Sequence, residues 1–182
     1  DYGRLGTRIK VSPALRSPKI NKELWELVRA RRVDGICSEH TPHLFSEKEG
    51  DIWKAASGMP GLQETVAAFI TGWIKQYGKD TIEEGLSVLA ACASTNIAHF
   101  FGYPQKSGIA VGNDADFVII DIDHPWTVKK ENLFTKCGWS AYEGMELFGR
   151  PTATFLRGKL VHEQGAVMEK QRGQWLVKGG RS

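Results

Sequence analysis

Two short apolar segments flank an amphipathic one near the start of the chain, and this pattern constrains the fold most. Residues 9–15 and residues 33–37 are apolar and suited to β-strands. Apolar residues recur between them at helical spacing, namely at Leu24, Leu27 and Val28. We expect this helix to begin near Pro18, with Asn21 as its N-cap. A strand, a helix and a strand within about thirty residues form a βαβ unit, whose strands lie parallel in one sheet. The sequence therefore predicts an α/β fold.

The strongest helical pattern spans residues 61–77. Its apolar positions are separated by three and four residues, which places them on one face of a helix. They are Leu62, Val66, Phe69, Ile70, Trp73, Ile74 and Tyr77. Gly78 follows directly and is a typical residue just beyond a helix C-terminus. We expect these aromatic and aliphatic side chains to form the core.

Two shorter helices are expected after this one. The first is predicted to begin at Thr81, because residues 81–84 read as a capping box. Its inward positions are expected to be Leu86, Leu89 and Ala90. The second is predicted to cover residues 96–101 and to end at Gly102, with its aromatic residues in the core.

The last third of the chain is rich in predicted strands. Residues 117–120 read as a buried strand, and residues 152–156 as another. Arg157-Gly158 is predicted to turn the chain into residues 159–162, so that the last two strands form a hairpin. No long amphipathic helix is expected in this part.

This change in pattern predicts a domain boundary near residue 105. Residues 1–105 are expected to form the α/β part, and residues 106–182 a β-rich segment with a tail. A chain of 182 residues can bury a core in either arrangement.

Composition excludes several classes of partner. The net charge is +3, from 24 basic and 21 acidic residues, and the basic residues are scattered, so we expect no nucleic-acid partner. No apolar run approaches the ~20 residues that cross a bilayer, so we expect no membrane partner. Three widely separated cysteines fit reduced thiols, and therefore a cytoplasmic location, better than a disulfide framework.

The segment 38–43 carries the densest set of chemically active side chains. It contains Glu39, His40 and His43 directly after the predicted strand 33–37. Carboxylates and imidazoles serve as acids, bases and metal ligands. A strand end followed by a loop that contains Pro42 is a suitable place to hold them. The segment is therefore a candidate for part of an active site.

Five segments, in order along residues 7–165, resemble motifs of the cyclic amidohydrolases. This group comprises the dihydroorotases, the allantoinases and the hydantoinases/dihydropyrimidinases. The segments are Lys10-Val11-Ser12-Pro13-Ala14-Leu15-Arg16, Ser38-Glu39-His40-Thr41-Pro42-His43, Gly58-Met59-Pro60-Gly61-Leu62-Gln63-Glu64, Gly112-Asn113-Asp114-Ala115-Asp116-Phe117-Val118-Ile119-Ile120-Asp121 and Tyr142-Glu143-Gly144-Met145-Glu146-Leu147. The resemblance implies a hydrolase of C–N bonds in small cyclic amides.

The resemblance also implies a fold, a (β/α)8 TIM-type barrel with a small β-sandwich beside it. Residues 9–15 would be the seventh barrel strand and residues 33–37 the eighth, with Ser12 and Glu39 at their C-terminal ends. Two strands cannot close a barrel, and the family's paired histidines and bridging lysine have no match in this sequence. We therefore expect the C-terminal part of a larger parent, associated with the missing N-terminal part or with further copies of itself.

Glu39 is the residue that the resemblance assigns to catalysis and to metal binding. In the family an aspartate at this position ligates one metal of a binuclear divalent centre, expected to be zinc, and moves a proton. The glutamate is one methylene longer, which leaves two interpretations open. One is a working catalytic carboxylate. The other is a non-catalytic, dihydropyrimidinase-like scaffold or regulatory homologue.

Ser12 and His43 are the residues that the resemblance assigns to substrate binding. His43 matches a histidine with which dihydroorotases hold a substrate carboxylate, whereas Ser12 matches a serine of allantoinases and hydantoinases. The two point to different subgroups, so the substrate stays open. Each also has a structural reading, His43 as a packed loop residue and Ser12 as a turn residue before proline. His40 is expected to support the carboxylate rather than to bind metal.

Two other features are interpreted as structural. Cys37 is expected to be an inert thiol in the core. Asp114 and Asp116 resemble a calcium loop only superficially, and a turn that leads into a strand explains them better.

Overall fold

The computed structural model describes residues 2–168 and 173–177. Within these ranges the α-helices come first, in the order α1 Tyr2–Leu5, α2 Pro18–Arg29, α3 Thr65–Tyr77, α4 Ile82–Ala90 and α5 Asn96–Phe101. The strands follow, in the order β1 Phe117–Asp121, β2 Trp126–Thr127, β3 Glu146–Leu147, β4 Arg150–Leu156, β5 Lys159–Glu163 and β6 Ala166–Val167. No helix of this part of the chain is long and apolar enough to cross a membrane.

Helix α2 begins at Pro18, within its predicted start region, but it has a different N-cap and turns a different face inward. Ser17 is the N-cap rather than Asn21, and its Oγ accepts a hydrogen bond from the Ile20 N–H at 3.4 Å, with Pro18 in the first turn. The predicted face is wrong at two positions, because Leu24 and Leu27 are 45% and 44% exposed. The residues that pack against the core are Trp25 and Val28.

Helices α3 and α4 form the main apolar cluster of the described residues. Trp73 of α3 is 0% exposed and lies at the centre, between Phe69 and Tyr77. The α4 backbone approaches its ring closely, since a Cβ placed on Gly85 would lie 2.7 Å from the indole. A side chain at residue 85 would therefore push the two helices apart. Helix α3 begins at Thr65 rather than at residue 61, and it ends at Gly78 as predicted.

The capping box predicted at residues 81–84 does not form. The Thr81 hydroxyl donates to the Gly78 carbonyl and accepts from Trp73 Nε1, both at 3.0 Å, so it is not available to the helix. Glu84 instead forms an ion pair with Arg29 of α2 at 2.7 Å. Ala90, expected to face inward, is exposed, and Val88 is buried in its place.

The short helix α5 has its predicted bounds and ends at Gly102, which has a left-handed φ of 80°. Its aromatic residues do not reach the core, because Phe100 and Phe101 are exposed and contact each other. The prediction of core aromatics is wrong at this helix.

The strands form an antiparallel sheet in the order β1-β4-β5-β6 and a separate pair, β2 with β3. The predicted hairpin between β4 and β5 is confirmed, with Arg157 and Gly158 at φ 49° and 74°. Two positive φ values are the signature of a type I′ turn. Strand β1 is not fully buried as predicted, because Val118 and Ile119 are exposed.

The predicted strands 9–15 and 33–37 are not strands in the structure. Residues Gly6–Ile9 form a 3-10 turn, and the residues after them, which bend at Ser12 and Pro13, pair with no strand of the described chain. In the second segment the Ile36 N–H donates to the carbonyl of Cys92, which lies in the π-helical turn Ala91–Thr95 just after α4. Parallel strands exist only as members of a ladder, so sequence pattern alone cannot create them.

The helical and strand-rich parts share apolar contacts. Ile120 and Phe148 pack against the α3–α4 cluster, and Ile9 is buried against Trp139. The α-helices lie before residue 102 and the strands after residue 116 within the described ranges. The boundary near residue 105 stays a prediction, and residues 169–172 and 178–182 of the second predicted part lie outside the described residues.

Candidate active site

Glu39 lies in an exposed loop whose backbone is tightly held. Its φ is 48°, a left-handed value that few non-glycine residues adopt. The next residues are fixed to another loop, because the Thr41 N–H donates to the Met59 carbonyl at 3.1 Å and His40 forms a parallel bridge with Met59. The carboxylate itself faces solvent, and the Cys37 thiol donates to its Oε1 at 3.5 Å. The backbone near Glu39 is therefore held in place, while the Glu39 carboxylate is accessible to solvent.

Cys37 is not the core thiol that the sequence predicts. It is exposed, whereas Cys92 is buried and Cys137 is intermediate. The predicted strand 33–37 would have placed Cys37 in a buried sheet, whereas the loop that replaces this strand leaves Cys37 exposed.

His40 uses one ring nitrogen to bind the neighbouring loop. Its Nδ1 accepts from the backbone N–H groups of Gly61 and Leu62, both at 3.2 Å. An acceptor at Nδ1 places the proton of the neutral ring on Nε2. The imidazole therefore ties the Glu39 loop to the start of the segment before α3, which is a supporting role.

His43 is half-buried, and both ends of the residue are held. Its Nδ1 lies 3.8 Å from Glu47 Oε2, and its carbonyl accepts from Trp139 Nε1 at 2.8 Å. Glu47 Oε2 also accepts from the Leu44 N–H at 2.7 Å, which fixes the loop in between. These contacts orient the ring and leave it partly accessible.

Ser12 is exposed and lies two residues after Lys10, whose carbonyl accepts from the Gly58 N–H at 2.9 Å. Gly58 and Met59 are consecutive, so the segment that carries Ser12 and the segment that carries Glu39 are bound to neighbouring residues of one loop. The structure thus brings these two segments together, although 27 positions separate the two residues in the sequence.

Gly58 permits this close approach. A Cβ on it would lie 2.6 Å from the Thr41 carbonyl oxygen, and its φ is 134°. Backbone crowding and a positive φ both require glycine here.

Lys48 is a residue of this region that sequence reasoning missed. It is 1% exposed and ends the 3-10 turn Phe45–Lys48. Its Nζ donates to the carbonyls of Lys10, Ala56 and Gly58. Burial, and then the nearby Lys10 ammonium, lower the pKa of Lys48. A lysine in a polar, irregular stretch carries no periodic signal, so nothing in the sequence marked it as buried.

The described residues do not assemble a metal centre on their own. Residues 2–168 and 173–177 contain no group of three or more histidine, cysteine, aspartate or glutamate side chains placed to hold one ion. Protein zinc sites take three or four such ligands. Glu39 can supply one carboxylate, and a complete site needs ligands from elsewhere.

A cavity of about 530 Å³ lies away from these residues, beside the strands. Its lining includes Gln63, Trp126, Arg150 and His162, and none of Ser12, Glu39 or His43. Trp126 Nε1 and His162 Nδ1 are buried there without a hydrogen-bond partner. The cavity therefore belongs to a different part of the molecule from the candidate site.

Asp114 and Asp116 form ion pairs rather than a cation loop. Lys106 Nζ lies 2.8 Å from Asp114 Oδ2 and also contacts Asp116, whose Oδ1 accepts from the Arg157 N–H at 2.6 Å. The structural interpretation of these aspartates fits these contacts.

Comparisons with known proteins give consistent similarities. The sequence model of the amidohydrolase family matches residues 55–161, more than half of the chain. A dihydroorotase of Pyrococcus furiosus is 35% identical over 95% of the chain, and an allantoinase of Deinococcus radiodurans is 32% identical over 97%. The solved L-hydantoinase of Arthrobacter aurescens matches 93% of the chain with a TM-score of 0.85 and 32% identity.

The similarity covers only part of each of these proteins. The chain spans 39% of the length of the dihydroorotase, and 38% of the allantoinase and of the L-hydantoinase. The family match begins at residue 55, so Ser12, Glu39 and His43 all precede it.

Proposed function

The chain belongs to the amidohydrolase family, and from that premise we propose that it is the C-terminal part of a hydrolase that opens the C–N bond of a small cyclic amide. The observation that supports this most is the similarity to a dihydroorotase, an allantoinase and an L-hydantoinase over at least 93% of the chain. All three names denote hydrolases of cyclic amides. The subgroup, and with it the substrate, stays open.

We propose that the longer parent contains a (β/α)8 barrel, of which residues 1–105 are the last part. In that barrel residues 9–15 and 33–37 would gain ladder partners and become the strands that the sequence predicts. Residues 106–182 would form the β-rich segment beside it. Apart from Ile9, which ends a 3-10 turn, neither segment is helical in the structure, so no helix has to unfold before they enter a ladder.

Glu39 is the proposed catalytic carboxylate and one ligand of a divalent metal, zinc in our proposal. In a complete site such a metal would supply an activated water, because it would lower the pKa of that water towards about 7. Glu39 then accepts the proton of the attacking water as its oxygen adds to the amide carbon. The same carboxyl group gives this proton to the ring nitrogen as the C–N bond breaks. The exposed carboxylate on a fixed backbone suits this transfer.

Ser12 and His43 are proposed to hold the substrate. The Ser12 hydroxyl can bond a ring amide, and the neutral or charged His43 ring can donate to an anionic substituent. The contacts of the Lys10 and His43 carbonyls fix the backbone near both residues, which supports a positioning role.

The test is a substrate panel on the full-length parent, with metal content measured alongside. Dihydroorotate, allantoin, hydantoin and a dihydropyrimidine cover the subgroups. We expect turnover of at least one of them, and Glu39→Gln to lower kcat by about 10²–10⁴-fold, because the amide cannot carry the proton. Glu49→Gln, an exposed residue of the next loop, is the matched control and should leave kcat unchanged. Equal rates in the two variants would remove Glu39 from the mechanism.

The alternative is a homologue that keeps the fold without the reaction. The glutamate at the position where the family has aspartate favours it. An intact parent that binds no metal and hydrolyses none of the panel would support this reading and contradict the first.

A further inference from the structure

We propose that Lys48 is a positioning residue of the candidate site, where its ammonium holds the segment that carries Ser12 against the loop 53–58, to which the Glu39 segment is bound through Met59. The inference rests on the proposed function for its catalytic consequence. The hydrogen bonds of Lys48 lie within the described residues and do not depend on that function.

The ammonium group of Lys48 has three donors, and each has a carbonyl oxygen within reach. Nζ lies 3.0 Å from the Lys10 oxygen and 2.6 Å from the oxygens of both Ala56 and Gly58. A lysine ammonium has three donors and no acceptor, so these three bonds use it fully. No carboxylate pairs with Lys48 in residues 2–168 or 173–177. Backbone carbonyls alone therefore compensate a cation that is nearly inaccessible to water.

Two further bonds fix the same residues. The Thr7 hydroxyl donates to the Lys48 carbonyl, and Lys10 Nζ donates to the Ala55 carbonyl at 2.6 Å. Lys10 thus joins the segment 7–10 to the loop 53–58 directly, and Lys48, which lies outside both, donates to carbonyls of each. Lys48 is the buried one of the two, so its bonds are the ones shielded from competing water.

The consequence for the site follows from the neighbours of the three carbonyls. The Lys10 carbonyl lies two residues before Ser12, and it also accepts from the Gly58 N–H. The Gly58 carbonyl belongs to the peptide that leads into Met59, which accepts from the Thr41 N–H two residues after Glu39. The Lys48 ammonium therefore fixes the Ser12 segment to the loop 53–58, and that loop in turn binds the Glu39 segment through Met59. A displacement of about 1 Å in such an arrangement can lower a rate by about 100-fold.

The residue type matters as well as the charge. A compact ammonium places its donors around one atom, whereas the planar guanidinium of arginine spreads five donors in a fork. Three carbonyls that converge on one point fit the first shape and not the second. The Lys48 site is therefore specific for lysine among the basic residues.

The experiment compares Lys48→Met with Lys54→Met, an exposed lysine of the same loop. Met keeps the length and the apolar stem and removes the donors. We expect Lys48→Met to speed hydrogen exchange at the Gly58 and Thr41 amides by at least about tenfold, with the amides of α3 unchanged. In the full-length parent we expect kcat/KM to fall by about 10- to 100-fold, with both kcat and KM affected. Lys54→Met should match the unsubstituted protein in every readout, and Lys48→Arg should not restore the loss.

Unchanged exchange at Gly58 and Thr41 in Lys48→Met would overturn the proposal, and so would full rescue by arginine. A loss of kcat with an unchanged KM and a proportionate loss of folded protein would also contradict it. If Lys48→Met does not fold, the proposal is tested on the unsubstituted chain by ¹⁵N-lysine spectra. A buried ammonium with three hydrogen bonds must show slowly exchanging protons there, and fast exchange would overturn the proposal. If the parent hydrolyses no substrate of the panel, the proposed function fails while the exchange result still decides the role of Lys48.

Discussion

At Gly58 two loops approach so closely that the absence of a side chain determines the geometry of the candidate site. A Cβ there would meet both the carbonyl oxygen and the Cβ of Thr41, at 2.6 and 2.7 Å. Gly50 has a similar backbone, with φ 90°, and open space around it. Alanine substitutions at the two glycines therefore measure two destabilising effects separately. At Gly50 only the positive φ opposes a side chain, whereas at Gly58 steric overlap with Thr41 is added.

We expect Gly58→Ala to lower the free energy of unfolding by roughly 2–4 kcal/mol, because it adds backbone overlap to an unfavourable φ. Gly50→Ala should cost about 1 kcal/mol, from the φ alone. Urea denaturation of both variants measures the difference. Equal losses would mean that Thr41 can move away, and the close approach would not constrain the site.

At the scale of elements, Asp116 joins the loop before β1 to the turn between β4 and β5, and Lys106 holds its carboxylate. Lys106 contacts Asp114 and Asp116, and Asp116 also accepts from the Arg157 N–H in that turn. Burial opposes ionisation of Asp116, but the Lys106 ammonium and the Arg157 N–H outweigh it and lower the pKa of Asp116. Its folded-state pKa therefore lies below the ordinary aspartate value of about 3.9.

Because the pKa of Asp116 is lowered in the folded state, the free energy of unfolding decreases as the pH falls. The stabilisation by Asp116 is fully present above the unfolded-state pKa and is lost as the pH falls through the lower folded-state pKa. We expect Asp116→Asn to lower the free energy of unfolding by about 2 kcal/mol at neutral pH, with the difference shrinking below about pH 4. Thermal unfolding across pH measures this. Asp123→Asn, at an exposed pair with Lys79, is the control and should change stability by less than about 0.5 kcal/mol. A loss at Asp116 that is constant with pH would contradict the assignment.

The elements also show which parts of the fold could be predicted from sequence. The hairpin at Arg157-Gly158 and the end of α5 at Gly102 depend on the local backbone chemistry of their own residues, and both predictions are confirmed. The capping box at Thr81 is wrong because a tertiary contact with Trp73 takes its hydroxyl. The strands 9–15 and 33–37 depend on ladder partners distant in sequence, which no local pattern contains.

The candidate site likewise contains residues that the sequence could indicate and residues that only the folded structure reveals. Glu39, His40 and His43 form one short segment, so composition alone could mark them as candidates. Their roles stay predictions. The connection of Ser12 to Glu39 through Gly58 and Met59, and the burial of Lys48, arise only from the folded path of the chain.

At the scale of the whole molecule, several apolar surfaces are uncovered. Ile20, Leu24 and Leu27 form an exposed stripe on α2, at intervals of four and three residues. Phe100 and Phe101 are exposed on α5. Such surfaces on a stable protein mark places where another surface packs.

We expect the 182-residue chain to associate in solution, because burial of this surface is favourable at about 25 cal/mol per Å². The double variant Leu24→Lys and Leu27→Lys should shift the chain towards monomer. Lys19→Glu and Lys22→Glu, on polar positions of the same helix, are the matched control and should not. Light scattering after size exclusion measures the mass. A chain that is strictly monomeric would count against the proposal that it is part of a larger barrel.

The accessibility of Cys37 has a practical consequence. Of the three thiols, Cys92 is buried, and burial raises the pKa of its thiol, while Cys137 is half-covered. Thiolates rather than thiols react with maleimides and similar reagents, so a fluorophore or spin label should attach first at Cys37. A label there would sit two positions from Glu39 without any engineered cysteine. In the full-length parent such a label would test the proposed binding of metal and substrate at this loop.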